Sequence, residues 1–176
     1  MHILKELILE QDIAQRVADM AQDISRDFRG MELVIVSVLK GSFVFTADLV
    51  RCIDMPLEIV FIGASSYGAG TTSSGKLDIY HDIDISLKGK SALLVEDIID
   101  SGLTIATLKA LVYDKGARDV KICTMFNKPS RRKVQVEIEY KGFDVPDTFV
   151  VGYGLDFDNK YRNLKNLCEI VGVSED

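Results

Sequence analysis

The sequence lacks most of the short signatures that would place it at once. Its three cysteines, Cys52, Cys123 and Cys168, form no CxxC pair, are odd in number and sit among apolar residues. Free, buried thiols in a reducing compartment are the expectation. The only two histidines, His2 and His81, have no Cys, His or acid at ligand spacing, so neither is assigned to a metal or to catalysis. There is no GxxxxGK[ST] loop and no GxGxxG loop, which sets aside Walker-type and dinucleotide-binding readings. No basic segment followed by an apolar stretch opens the chain, and no apolar run approaches the ~18 residues of a spanning helix. A soluble cytoplasmic protein is expected. Positive charge is in the minority, 21 Lys and Arg against 27 Asp and Glu, for a net charge of -6 and a pI of about 5.0. That argues against non-specific nucleic-acid binding, though it leaves room for a local basic pocket.

The composition is that of a folded domain: 176 residues, 47% hydrophobic and 27% charged. Residues 3–9 read as an edge strand or first turn. Ile13, Val17, Met20, Ile24 and Phe28 recur at steps of three and four, one stripe of an amphipathic helix ending near Gly30. Leu33–Leu39 is a continuous apolar strand of the kind buried on both faces. A helix carrying Phe43, Ala47, Leu49 and Val50 follows, then a strand at Leu57–Ile62. Ala92–Val95, a helix from about Thr104 to Tyr113, a stop at Gly116 and Val120–Phe126 repeat the scheme. Such alternation predicts a parallel α/β sheet.

Two stretches break the scheme. Residues 65–75 hold nine Ser, Thr or Gly in eleven positions, which predicts a mobile loop. From about 134 the period changes. Val134, Val136, Ile138 and Tyr140 alternate with polar residues, predicting a half-exposed strand, with another at Thr148–Gly154. One domain is expected. Its core spans about 10–127, with a small hood made of the N-terminal segment plus about 128–176, packed over the carboxyl edge of the sheet where ligands bind in open α/β folds.

The chemistry concentrates in Leu93–Thr104. An apolar strand core runs into Glu96 and Asp97, and Asp100-Ser101-Gly102-Leu103-Thr104 then opens a helix. A helix N-terminus with small residues, hydroxyls and unpaired N–H groups suits a phosphate. The same residues also make an ordinary N-cap. Adjacent acids at a strand end repel unless sugar hydroxyls or a hydrated Mg²⁺ lie between them, although a solvated strand end reads the same way. Lys40-Gly41-Ser42 offers close backbone approach and a cation, or simply a strand-to-helix turn. Lys128-Pro129-Ser130-Arg131-Arg132 is the one dense basic cluster, either a site or a solvated loop. Phe149 and Val150 read equally as core, and Asp156 and Arg162 as solvated polar residues.

Taken together, Val38-Leu39-Lys40-Gly41, Ser66-Tyr67, Val95 through Thr104, Lys128 through Arg132, Pro146-Asp147 and Phe149 through Asp156 resemble the type I phosphoribosyltransferases, in particular their purine-salvage branch. The resemblance covers almost the whole chain. It implies the fold of that family, a parallel twisted sheet flanked by helices with a C-terminal hood. It implies transfer of a phosphoribosyl group from 5-phosphoribosyl pyrophosphate to a purine, giving IMP or GMP and pyrophosphate. It also implies roles. Residues Asp100, Ser101, Gly102, Leu103 and Thr104 would hold the ribose 5-phosphate, Leu103 mainly through its backbone. Glu96 and Asp97 would bind the ribose hydroxyls, which also chelate Mg²⁺, and Asp156 would face the Mg²⁺ hydration shell and the base edge. Lys40, Gly41 and Arg162 would hold pyrophosphate. Phe149 would stack on the purine, the Val150 backbone would read its edge, and Lys128 would donate to the 6-oxo group, selecting hypoxanthine or guanine over adenine. Asp100 would accept the purine proton. Ser66 and Tyr67 would belong to a lid. Relatives of this kind form homodimers or homotetramers. A regulatory protein on the same fold would need a basic face or an added DNA-binding domain, and the acidic balance and short chain supply neither.

Overall fold

The computed structural model describes residues 2–66 and 77–172. In chain order the elements are β1 (Leu4–Ile8), α1 (Glu10–Asp27), β2 (Leu33–Leu39), α2 (Phe43–Cys52), β3 (Glu58–Ser66), β4 (Leu77–His81), β5 (Ser91–Ile99), α3 (Leu103–Asp114), β6 (Asp119–Asn127), β7 (Tyr140–Asp144), β8 (Val150–Val151) and β9 (Leu167–Ile170). The stripe on α1 is the buried one: Ile13, Val17, Met20, Ala21 and Ile24 all face the core, with Phe28 just beyond the helix. Burying each of the larger ones contributes about 1.5–3 kcal/mol. Glu10 and Asp12 in the first turn and Arg26 in the last complement the helix dipole.

Six strands form one sheet in the order β4-β3-β2-β5-β6-β7. All neighbours are parallel except β3 and β4. The continuous apolar runs of β2 and β5 divide between two cores. Ile35, Leu93 and Val95 pack with α1 and α2, while Val34, Val36 and Leu94 pack with α3. Alternation across a strand, with both faces covered, explains why these strands carry no polar side. A second, antiparallel sheet, β1-β9-β8, joins the two ends of the chain.

Four expectations change. The strand holding the acids does not stop at Val95. β5 continues to Ile99, paired with β6 as far as Asn127, while its pairing with β2 ends at Val95. Glu96–Ile99 therefore overhang β2, with one edge open toward Lys40-Gly41. Val134–Ile138 is not a strand. Burial does alternate there, but the backbone turns toward α3, with Lys133 and Val134 N–H both donating to the Ser101 carbonyl (2.9 and 3.0 Å). The strand begins at Tyr140, and β7 pairs with β6 in the large sheet, so residues 140–144 lie outside the hood expected over 128–176. Cys52 is exposed rather than buried, because it ends α2 on its outer side; Cys123 and Cys168 are buried as expected. The strand β4 has no counterpart in the sequence reading.

Candidate active site

The carboxyl ends of β2, β5 and β6 bring three chain segments to one edge of the sheet. Where β5 ends, Gly102 adopts φ +82° and serves as the N-cap of α3. A Cβ there would lie 2.5 Å from the Val134 carbonyl, so the position is closed to other residues by both conformation and space. The Ser101 hydroxyl accepts the Leu103 N–H (3.3 Å). A cavity of about 310 Å³ opens here, lined by Glu96, Asp97, Asp100, Ser101, Gly102 and Thr104 among others. Leu103 is exposed, which leaves its backbone as its contribution to the loop.

The acids beside this cavity carry the electrostatic signature of a binding site. Glu96 is held well above the usual carboxylate range, first by burial and then by the charge of Asp97, with Asp100 adding in the same sense. Burial raises Asp97 as well, although the Ile98 N–H and the charge of Arg162 pull it back. A carboxyl raised in the fold supports the folded state below its ordinary pKa, and that support is lost as pH rises through the folded value. The ligand-free protein is therefore expected to lose stability from the ordinary carboxylate range upward. Glu96→Gln is expected to flatten this slope and to raise the ligand-free Tm at neutral pH. Thermal unfolding of both proteins across pH checks it, and parallel curves would contradict it.

Gly41 lies directly against Asp97, since a Cβ on Gly41 would sit 1.5 Å from Asp97 Oδ2. On the other side, a Cβ on Gly154 would sit 2.1 Å from the Gly41 carbonyl oxygen. The loop from β8 to β9 is thus seated on the Lys40-Gly41 turn, whose Leu39–Lys40 peptide is cis. In that loop, Arg162 donates to the Gly154 carbonyl (2.7 Å) and pairs with Asp156 (2.6 Å). Asp156 also accepts the Asn159 N–H (2.8 Å). The structure therefore links Glu96, Asp97, Gly41, Gly154, Arg162 and Asp156 in one contiguous rim.

The basic cluster divides. Lys128 is 1% exposed, and its N–H donates to the Ile99 carbonyl (2.9 Å), which seats it next to Asp100. Arg131 pairs with Asp147 on the outside. Arg132 turns under the helix N-terminus, where it bonds the Asn127 side chain, and Asn127 in turn donates to Asp144 (2.5 Å). Asn127 is absent from the site residues expected from the sequence, while Gly154 and Arg132 enter there only within longer segments, with no role of their own. For Gly154 the spacing Gly152-Tyr153-Gly154 is the available signal and for Arg132 the basic cluster; for Asn127 there is none, because its work is done through tertiary contact. Phe149 is not in the lining of the cavity; it stands edge-on to Phe157 against the small sheet (5.1 Å, 89°), and Val150 is buried in β8. Ser66 is the last residue of β3; Tyr67 lies outside the described residues, as does most of the expected lid.

Among the described residues no three His, Cys, Asp or Glu side chains gather as a metal cage. The acid pair fits a cation that arrives with most of its oxygens already supplied, as Mg²⁺ does on a phosphorylated substrate. A larger apolar cleft of about 580 Å³ lies between α1, α2 and the β8–β9 loop, with Val17, Phe43 and Leu164 in its lining. Apart from Arg162 it holds none of these groups, so the chemistry belongs to the smaller, charged cavity.

The comparisons with known proteins agree with this geometry. The phosphoribosyl transferase domain family matches residues 5–158. A hypoxanthine phosphoribosyltransferase of Salmonella typhimurium is 40% identical over 99% of both chains. A hypoxanthine-guanine phosphoribosyltransferase of Bacillus subtilis is 44% identical, over 92% of this chain and 90% of its own. A crystal structure of a hypoxanthine-guanine phosphoribosyltransferase from Bacillus anthracis superposes with a TM-score of 0.91 at 48% identity, covering 95% of this chain and 98% of that one. The chain belongs to the phosphoribosyltransferase family, alongside its hypoxanthine and hypoxanthine-guanine enzymes.

Proposed function

We propose that this enzyme transfers the phosphoribosyl group of 5-phosphoribosyl pyrophosphate to hypoxanthine and guanine, releasing IMP or GMP and pyrophosphate. The observation that carries the reading is the contact of Gly41 with Asp97 on the rim of the α3 N-terminal cavity. It sets a turn suited to pyrophosphate against carboxylates suited to ribose hydroxyls, next to a cradle suited to the 5-phosphate. One substrate carries all three groups in that order.

In this reading, Ser101 to Thr104 bind the 5-phosphate with backbone N–H groups and hydroxyls at the dipole end of α3. Glu96 and Asp97 orient the ribose hydroxyls. Lys40, Gly41 and Arg162 hold the pyrophosphate, and Asp156 faces the hydrated cation. Lys128 donates to the 6-oxo oxygen of the base, Val150 reads the base edge through its backbone, and Phe149 stacks on it once the hood engages substrate. The purine nitrogen forms its bond to C1′ as the bond from C1′ to the pyrophosphate oxygen breaks, and Asp100 takes the proton that nitrogen loses. Bound Mg²⁺ supplies charge neutralisation for the departing pyrophosphate. The active enzyme is proposed to be a cytoplasmic homodimer or homotetramer, with Ser66 and Tyr67 at the lid. No helix among the described residues is long and apolar enough to cross a membrane.

The test is turnover with 5-phosphoribosyl pyrophosphate and each of hypoxanthine, guanine, xanthine and adenine, before and after chelation of divalent cations. The 6-oxopurines are expected to react, adenine to react poorly, and chelation to stop the reaction until Mg²⁺ is restored. Tight binding of 5-phosphoribosyl pyrophosphate with no turnover of any base would favour a sensor instead.

A further inference from the structure

Three hydroxyls are buried where β2 passes into α2: Ser37 and Ser42 at 0% exposure and Thr46 at 3%. They stand beside buried apolar residues such as Val36, Val38 and Phe45, and they bracket the Leu39-Lys40-Gly41 turn. The Ser42 hydroxyl donates to the Val38 carbonyl (2.5 Å). Ser37 Oγ lies 2.9 Å from Ser42 Oγ and 2.8 Å from Thr46 Oγ1.

Each hydroxyl has a single proton to give, which fixes the direction of the chain. A carbonyl cannot donate, so the Ser42 proton goes to Val38. Ser42 must then accept from Ser37, and Ser37 from Thr46. The protons run head to tail from Thr46 through Ser37 and Ser42 to the Val38 carbonyl. The chain ties the residue before the turn to the residue after it, and anchors both to the first helical turn of α2, where the Thr46 N–H also donates to the Ser42 carbonyl (2.8 Å).

We propose that Ser37, Ser42 and Thr46 are positioning residues for pyrophosphate, acting as a hydroxyl clamp that holds the Lys40-Gly41 turn in its binding conformation. The proposal rests on the reading that this turn holds pyrophosphate. Clearance makes the clamp necessary. Gly41 is wedged between the Asp97 carboxylate and Gly154, with no room for even a methyl group, so a turn that drifts loses its place against both. An apolar junction would pack as well, but it would not fix the turn through directional bonds.

The experiment measures KM for 5-phosphoribosyl pyrophosphate in the forward direction and for pyrophosphate in the reverse direction. Ser37→Ala removes the middle of the chain and leaves the Thr46 proton and the Ser42 acceptor without partners. Both KM values are expected to rise roughly tenfold, with kcat and the purine KM changed by no more than about twofold. Thr46→Val, nearly isosteric, is expected to fold and to move the same two constants by roughly threefold, because it removes only the head of the chain. Thr46→Ser restores the hydroxyl and is expected to restore wild-type values. A fall in Tm for Ser37→Ala or Thr46→Val with both KM values unchanged would overturn the proposal, leaving the hydroxyls as core structure. Lys40→Ala separates the two claims. If it leaves the pyrophosphate KM unchanged, the reading of the turn fails and the clamp with it. If it raises that KM while Ser37→Ala and Thr46→Val do not, the clamp alone fails.

Discussion

Asp100→Asn is expected to fold normally and to lose about 10²- to 10⁴-fold in kcat, the usual contribution of a positioned general base. Asp100 lies where β5 hands over to α3, at the edge of the cavity that holds Glu96, Asp97 and Ser101. The asparagine has nearly the same size, so the loop keeps its shape. It cannot take a proton. The loss is therefore expected in kcat, with KM for 5-phosphoribosyl pyrophosphate changed by only a few-fold, because the proposed binding mode holds the phosphate on the backbone of the loop. Steady-state kinetics with hypoxanthine, together with a thermal melt, separates the two effects. A kcat near wild type would remove Asp100 from the proton transfer.

Gly41→Ala is expected to be nearly as damaging, for a steric reason. The added methyl would meet Asp97 Oδ2 at 1.5 Å and Asp97 Cγ at 2.6 Å. The turn has little room to retreat, because its carbonyl packs so close to the Gly154 backbone that a Cβ there would lie 2.1 Å from it. Either the Asp97 carboxylate rotates away or the turn lifts. In the proposed binding mode both break the alignment of ribose and leaving group, and displacements of about 1 Å at a reacting centre cost on the order of 10²-fold in rate. The expected result is a loss of that order in kcat/KM with a native far-UV spectrum. A variant with a near-normal KM for 5-phosphoribosyl pyrophosphate would show that the turn and Asp97 do not act on the same substrate.

Where burial is decided by local periodicity, the sequence and the structure agree closely. The three-and-four spacing from Ile13 to Phe28 marks the buried side of α1, and Leu33–Leu39 is the strand β2 to the residue. The convergence of Lys40-Gly41 with Glu96-Asp97 follows from strands that are parallel and adjacent, since both segments must then leave the same edge. Periodicity misleads at Val134–Ile138. Alternate side chains there rest on the α3 side of the sheet, but the backbone is bonded to Ser101 rather than to a strand. It is silent on Leu77–His81, which becomes β4 only because β3 offers a free edge. Composition alone also treats Lys128 to Arg132 as one patch. The chain direction after β6 divides it into a buried Lys128 beside Asp100, an outward Arg131, and an Arg132 that braces the loop from beneath. The clearance around Gly41 and Gly154 is a property of two loops far apart in sequence, and no local pattern encodes it.

The central claim is that a single molecule of 5-phosphoribosyl pyrophosphate spans the α3 cradle, the acid pair and the Lys40-Gly41 turn. A crystal structure of the enzyme with Mg²⁺, 5-phosphoribosyl pyrophosphate and an unreactive purine analogue tests it most directly. The expected structure has the 5-phosphate on the backbone of Ser101 to Thr104, the ribose hydroxyls on Glu96 and Asp97, and the pyrophosphate against Lys40, Gly41 and Arg162. A 5-phosphate seated elsewhere, such as on Arg131 and Arg132, with the α3 cradle left to solvent, would contradict it.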